Sequence, residues 1–376
     1  MREKRAEHVI VIGAGTVGAA IAYGLARRGV NVTLLDGGDR DFRAATANFG
    51  LVWQHGKGMD MPAYQALTRG SVDQWAEFTA ELEDVSGINL QFDHHGGLAI
   101  CLGEEEFEHR KSVLQRLHNQ FPAGAADWEM LDRSELARLL PKIELGRDVS
   151  GASFGRNDGH ANPLRLLAAL HTAFLRLGGR IQGGCTVHSL SFDQGVFTAD
   201  FGSGKVCAPR IVIAAGLGTK TLAAQVGMAI PVRPQRGQIL VTERVEPFLP
   251  LPTLDVRQTR EGTVMLGGTH EEVGFDASTS ATAAAALSSS AVRKFPALAR
   301  VRLVRQWSGL RIMTPDGYPI YAESESHPGA FVAQCHSGVT LAAMHASQFA
   351  EAIDAGELPH PFDPFHQRRF DVPQVA

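Results

Sequence analysis

Cysteine is scarce in this chain: four occur in 376 residues, at positions 101, 185, 207 and 335, and no two form a C-x-x-C pair. That scatter supports neither a disulfide framework nor a zinc or iron–sulfur site, and a cytoplasmic protein fits it best. An excess of one charge is also missing. Thirty-six Lys and Arg against 40 Asp and Glu leave a formal net charge of −4, and no basic stripe emerges, which excludes a nucleic-acid partner. No apolar run approaches the length of a membrane span. Arg2, Lys4 and Arg5, followed by apolar residues up to Ala26, imitate a secretory signal, but the glycines at 13, 15 and 18 spoil the imitation. Neither a G-x-S-x-G elbow nor a Ser-His-Asp order is present. Adjacent His94 and His95 would point apart on a strand, so no metal site is expected there.

What the chain does have begins at Val9-Ile10-Val11-Ile12-Gly13-Ala14-Gly15-Thr16-Val17-Gly18, followed by a second apolar run, Val32 to Leu35, that ends at Asp36. Residues 8 to 12 read as a buried parallel strand and 17 to 28 as the helix behind it. In that context the glycines form a dinucleotide grip: Gly13 permits the tight turn, Gly15 admits a pyrophosphate, and Gly18 lets helix and strand pack closely. The helix N-terminus offers N–H groups and a positive dipole end to the phosphates. Asp36 is placed to accept hydrogen bonds from an adenosine ribose. NAD and FAD both satisfy this fingerprint.

Periodicity predicts helices over 61 to 84, 103 to 119 and 132 to 140, with strands at 89 to 93 and 97 to 102. A helix after residue 162 carries clear punctuation, with Asn162 as cap, Pro163 at its first position and Gly178-Gly179 at its end. Strands follow at 181 to 189, 195 to 201 and 205 to 213. Residues 226 to 304 read differently, with strands at 236 to 243, 252 to 258 and 262 to 268 beside a helix at 279 to 294. The pattern implies an α/β, Rossmann-like domain into which a smaller α+β part with an antiparallel sheet is inserted. Arg311 is read as lying in a turn. A final helix is expected over 340 to 355, followed by a tail of about twenty residues without structure of its own.

Six motifs occur in register along nearly the whole chain: the N-terminal fingerprint, Thr46-Ala47-Asn48-x-Gly50, Asp158-Gly159-x-x-x-Pro163, Ala214-Ala215-Gly216, Gly309-Leu310-Arg311-x-x-Thr314-Pro315-Asp316-Gly317, and a glycine turn before the last helix. In this order they resemble the FAD-dependent D-amino-acid oxidase superfamily, which includes glycine oxidase and sarcosine oxidase. Asn48 to Trp53 and Cys335 to Leu341 look most like the catalytic β subunits of opine oxidases, D-hydroxyproline dehydrogenases and hydrogen cyanide synthase. The glycine and sarcosine oxidase pattern Gly-His-x-x-x-Gly is replaced here by Cys335-His336-Ser337-Gly338-Val339-Thr340.

The resemblance implies non-covalent FAD. It also implies an FAD-binding domain from residues 1–85, 145–225 and 305–376, and a substrate domain from 86–144 and 226–304. Cofactor contacts are implied at Gly13, Gly15, Gly18, Asp36, Thr46, Asn48, Gly50, Leu51, Val187, Ala214, Gly216, Gly309, Ser337, Gly338, Val339 and Thr340. Arg311 resembles the arginine that clamps a substrate carboxylate, a task suited to its bidentate fork. His336 and His55 are the other catalytic candidates. Trp53, Gln54, His55 and Lys57 follow the flavin-proximal loop, with core packing the alternative for Trp53 and solvent for Lys57. The expected reaction moves a hydride from the carbon beside an amine nitrogen to flavin N5, in an amino acid, a secondary amino acid or an opine. An α subunit and a small iron–sulfur subunit are the expected partners, the cluster lying outside this chain. A self-contained amino-acid oxidase, a nicotinamide dehydrogenase and a catalytically silent FAD-binding subunit are the competing readings.

Overall fold

A computed structural model describes residues 8–38, 44–120 and 126–371. The basic residues Arg2, Lys4 and Arg5 and the end of the proline-rich tail lie outside the described residues. The central sheet has six strands in the order Ile320–Glu323, Ala330–Gln334, Arg210–Ile213, His8–Ile12, Asn31–Leu35, Arg180–Gln182. All neighbours pair in parallel except the first two, which are antiparallel. Parallel strands are buried on both faces, which explains their unbroken apolar runs. Val9 and Val11 pack with Ile21 and Leu25 of the helix Thr16–Arg27, while Ile10 and Ile12 pack on the opposite face with Ile211 and Ile213. The chain is thus a Rossmann-like α/β protein with antiparallel sheets beside it.

The antiparallel part is built mainly from two sheets. One pairs Gly97–Leu102, Val149–Gly155 and Trp128–Asp132. The other has the order Val256–Gln258, Thr263–Gly267, Arg233–Arg244, Leu303–Met313. Their shared core includes Leu98, Ala152, Leu240 and Phe295, closed by the helix Ala281–Lys294. The sheets cross two of the expected segment boundaries. Val149–Gly155 and Leu303–Met313 both pair with strands of the inserted part, although each lies mostly or wholly in a segment assigned to the other domain.

Several local expectations need correction. The single helix expected over 61 to 84 is two, Pro62–Asp73 and Trp75–Ser86, broken at Gln74, whose side chain bonds to Gly70 O and accepts from Ser347 Oγ. Residues 89 to 93 do not form a strand, because Gln91 has φ +52 and only Asp93 makes a bridge, to His160. Arg311 lies in the 11-residue strand Leu303–Met313 rather than in a turn, opposite Gln235. The tail is ordered through residue 371: Phe362 and Phe365 are buried against Tyr321, and Arg369 donates to Pro319 O at 2.9 Å. The cap at Asn162 is present, with Oδ1 accepting from Leu164 N and Arg165 N.

Candidate functional site

One cleft of about 850 Å³ runs from the fingerprint to Arg311, near the upper end of the range usual for small-molecule sites. At its near end Gly13 turns with φ +102, and a Cβ there would overlap the Ala214 carbonyl oxygen. A Cβ on Gly18 would overlap the Gly13 carbonyl oxygen, so the strand–turn–helix closes only with glycine at both places. Gly15 has no such neighbour, Ala45 Cβ at 3.9 Å being the nearest, and it opens onto the cleft. Asp36 lines the cleft and is held by Ala14 N and Gly38 N, each 2.8 Å away.

The other expected contact residues divide between the wall and its supports. Asn48, Leu51, Val187, Ala214, Gly216 and Gly309 line the cleft, as do Ser337, Gly338, Val339 and Thr340. Gly18, Thr46 and Gly50 do not line it. Gly50 acts one step back: with φ +90 and Ala161 O where its Cβ would be, it turns the chain so that Leu51 reaches the wall.

At the far end Arg311 and His336 line the cleft. Arg311 NH1 donates to Thr269 O at 2.7 Å, and among the described residues no carboxylate is ion-paired with it. Its guanidinium lies over two glycines, since a Cβ on Gly237 would stand 2.6 Å from Cζ and one on Gly268 2.9 Å from NH2. Burial lowers its pKa, with Glu271 opposing. Burial, followed by the charges of Lys57 and Arg311, pushes the His336 imidazole down, so the ring is neutral near pH 7. Cys335 also lines the cleft, and burial pushes its thiol up to about 12. A protonated thiol is a poor nucleophile.

His55 stands apart from the cleft. Its ring is buried between Asp158, which bonds Nδ1, and Ser153 Oγ, 3.0 Å from Nε2. These three residues mimic a hydrolytic triad, but Ser153 Oγ is already bonded by Arg110 Nε at 2.8 Å and is fully buried. The catalytic candidate His55 thus does not line the cleft and lies in the packing behind its wall. Asp158 Oδ1 also accepts from Gln54 N at 2.6 Å and His55 N at 3.3 Å, fixing the segment that carries Trp53 and Lys57. Both of these line the cleft, so Lys57 is not solvated on the outer surface.

Sequence reasoning passed over Gly237, Gly268, His270 and Phe275, all on the cleft wall. A glycine inside a strand marks a close approach, and Gly237 in Gln235-Arg236-Gly237-Gln238 was that signal. His270 and Phe275 follow a strand end and carried none.

The fingerprint belongs to a recognisable family: residues 8–352 match the one described as FAD dependent oxidoreductase. The chain belongs to this family. One of the opine oxidase subunits of Agrobacterium tumefaciens is 41% identical over 97% of this chain and 98% of its own length. Glycine oxidase of Pseudomonas putida is 27% identical over 95% of this chain and 98% of its own length. In three dimensions the chain is similar to the crystal structure of glycine oxidase from Geobacillus kaustophilus, with a TM-score of 0.85, 24% identity and coverage of 96% and 98% of the two chains.

The residues of this FAD-dependent oxidoreductase fit its cofactor. Among the described residues no side chain caps the helix at Gly15 and the buried Thr16 Oγ1 beside it has no partner, which leaves donors aimed where a pyrophosphate would lie. Gly15 leaves the approach open, Asp36 offers a carboxylate at the ribose end, and the turn 336 to 340 meets the cleft at its other end. Among the described residues no helix is long and apolar enough to cross a membrane.

Proposed function

We propose that this chain oxidises the C–N bond of an amino acid, a secondary amino acid or an opine, giving an imino acid that hydrolyses to a 2-oxo acid and an amine or ammonia. When bound, FAD supplies the two-electron acceptor for the departing hydride. The observation that carries this reading is Arg311. It is a guanidinium on the cleft wall, bonded on one side to the Thr269 carbonyl, lying over Gly237 and Gly268, and without a carboxylate partner among the described residues. Its remaining N–H donors suit a substrate carboxylate, and that grip would hold the α-carbon at reacting distance. Gly15, Asp36, Asn48 and the turn 336 to 340 would hold the cofactor, with the last turn facing its pyrimidine end. The neutral His336 would border the substrate rather than repel its amine.

The FAD-binding segments 1–85, 145–225 and 305–376 and the substrate segments 86–144 and 226–304 belong to the same reading. It is supported by strands of the six-stranded sheet drawn from all three of the former. The 41% relative is one subunit of an opine oxidase, which supports placing this chain as the catalytic subunit of a heteromeric dehydrogenase, with an α subunit and a small iron–sulfur subunit as partners. A self-contained oxidase is the second reading, favoured by the likeness to glycine oxidases.

The test is anaerobic flavin reduction by glycine, sarcosine, D-proline, D-hydroxyproline, octopine and nopaline. One of them should bleach the yellow holoprotein, and Arg311→Ala should slow that bleaching about 100-fold while FAD stays bound. Unchanged kinetics would remove the carboxylate clamp. A flavin that no amine reduces, even with partners present, would leave a silent FAD-binding subunit. Oxygen consumption by the isolated chain would favour the second reading.

A further inference from the structure

The least explained group on the cleft wall is the ammonium of Lys57. Its Nζ donates to Ser337 Oγ at 3.0 Å and to Thr340 Oγ1 at 3.2 Å, across 280 and 283 residues of chain. Both acceptors already serve others. Ser337 Oγ accepts from the Tyr64 hydroxyl at 3.0 Å, and Thr340 Oγ1 is 3.3 Å from Trp53 N and from Leu51 O. Among the described residues no carboxylate forms an ion pair with Lys57. The two hydroxyls belong to the turn that opens the helical segment 342 to 355, which begins at Ala342. A helix N-terminus carries positive potential, so a lysine ammonium is held there against the local field.

We propose that Lys57 is the charge-compensating group of the flavin site and takes up one proton when the cofactor is reduced. This inference rests on the reading that the turn 336 to 340 faces the flavin. The charge balance is simple: the C–H bond of the neutral amine breaks, both electrons leave with the hydride for the flavin, and the oxidised product gains one positive charge as an iminium. One solvent proton bonds to the Lys57 Nζ lone pair and offsets the negative charge gained by the cofactor.

The neighbouring groups leave Lys57 as the one that responds. Burial brings its ammonium down to about 8, while Asp158 and Cys335 pull the other way. Burial pushes Tyr64 and Cys335 each up to about 12 and pushes His336 down. Arg311 keeps its charge throughout this range. Between pH 8 and 10, Lys57 is therefore the member of this cluster that changes charge. A negative charge arriving within about 4–6 Å would raise its pKa by one to three pH units, so a proton would enter with the electrons in that window.

The experiment is a dye-linked equilibrium titration of the FAD-loaded chain from pH 6.5 to 10, in the native protein, Lys57→Met and Lys57→Arg. Above pH 8 the native reduced-to-oxidised ratio should fall by up to an additional tenfold per pH unit relative to Lys57→Met. Below pH 8, Lys57→Met should be at least tenfold harder to reduce. Lys57→Arg should stay easy to reduce across the range and lack the additional fall, because its charge does not titrate. Parallel curves for the native protein and Lys57→Met overturn the proposal. If Lys57→Met does not retain FAD, the native and Lys57→Arg curves decide, and curves parallel up to pH 10 again overturn it. No amine enters this titration, so a flavin that no amine reduces would refute the function above and leave this measurement intact.

Discussion

Gly237 leaves the space that the Arg311 guanidinium fills: a Cβ on Gly237 would stand 2.6 Å from Arg311 Cζ, NH1 and NH2 alike. The two residues lie on paired strands, with Gly237 opposite Gly309 and Arg311 opposite Gln235. Arg311 therefore owes its pose to a residue that carries no functional group.

Gly237→Ala should displace the guanidinium without touching the nucleotide end of the cleft. The expected result is FAD bound at native stoichiometry and a 10- to 100-fold loss in flavin reduction by carboxylate-bearing amines, the scale that a small misplacement produces. Stopped-flow bleaching of the visible flavin absorbance checks it. An unchanged rate would show that Arg311 tolerates the methyl group.

Two fingerprint glycines should respond in opposite ways. Gly18→Ala drives a methyl group into the Gly13 carbonyl and should lower the stability of the apoprotein by about 1–3 kcal/mol, as overpacking does. Gly15→Ala meets only Ala45 Cβ at 3.9 Å, with backbone φ −70, so apoprotein stability should stay within about 0.5 kcal/mol. FAD affinity should nonetheless fall at least tenfold. Melting of the apoprotein and fluorescence titration with FAD separate the two effects.

Asp158→Ala should be severe although the residue lies off the cleft. Its carboxylate is fully buried and accepts from Gln54 N, His55 N and the His55 ring. Removing it strands buried donors, a loss of about 3 kcal/mol. It also frees the segment that carries Lys57. Urea unfolding measures the first effect, and a change in the visible flavin spectrum of whatever holoprotein forms reports the second.

The loop behind Arg311 makes a pH-dependent contribution. Glu271 is held down to about 2, chiefly by the Arg236 guanidinium and then by Thr269 and Gln238. A depressed carboxylate stabilises the fold above its unfolded pKa near 4.5, and that stability is lost as pH falls toward 2. The melting temperature of Glu271→Gln should thus lie below the native value at pH 7, and the gap should close between pH 5 and 2. A gap that stays constant over that range would contradict this assignment.

Much of the framework was legible where the relevant contacts are local. The Asn162 cap and the helix Ala281–Lys294 follow from neighbours within a few residues, and strand 8–12 and its turn were legible from an unbroken apolar run and the glycine spacing after it. Local signals misled where distant side chains decided the backbone. Gln74 breaks a helical pattern as its side chain meets Ser347, and Phe362 and Phe365 order a proline-rich tail by burying themselves against Tyr321. Strand Leu303–Met313 carries Gly309 and polar side chains, so its pattern looked like a turn; pairing with Arg233–Arg244 makes it a strand.

The order of the motifs was enough to identify an FAD-dependent family, because each motif is a short local run, and five of the six bring residues to the cleft wall while Asp158 to Pro163 lies behind it. The assignment of polar residues to the cleft followed different rules. His55 and Lys57 are two residues apart, yet one is sealed between Asp158 and Ser153 while the other reaches Ser337 and Thr340 some 280 residues away. Arg311 reaches the cleft wall through the register that sets it over Gly237. Burial, pairing and charge at such positions depend on which remote segments pack together, and chain spacing alone does not encode those distances.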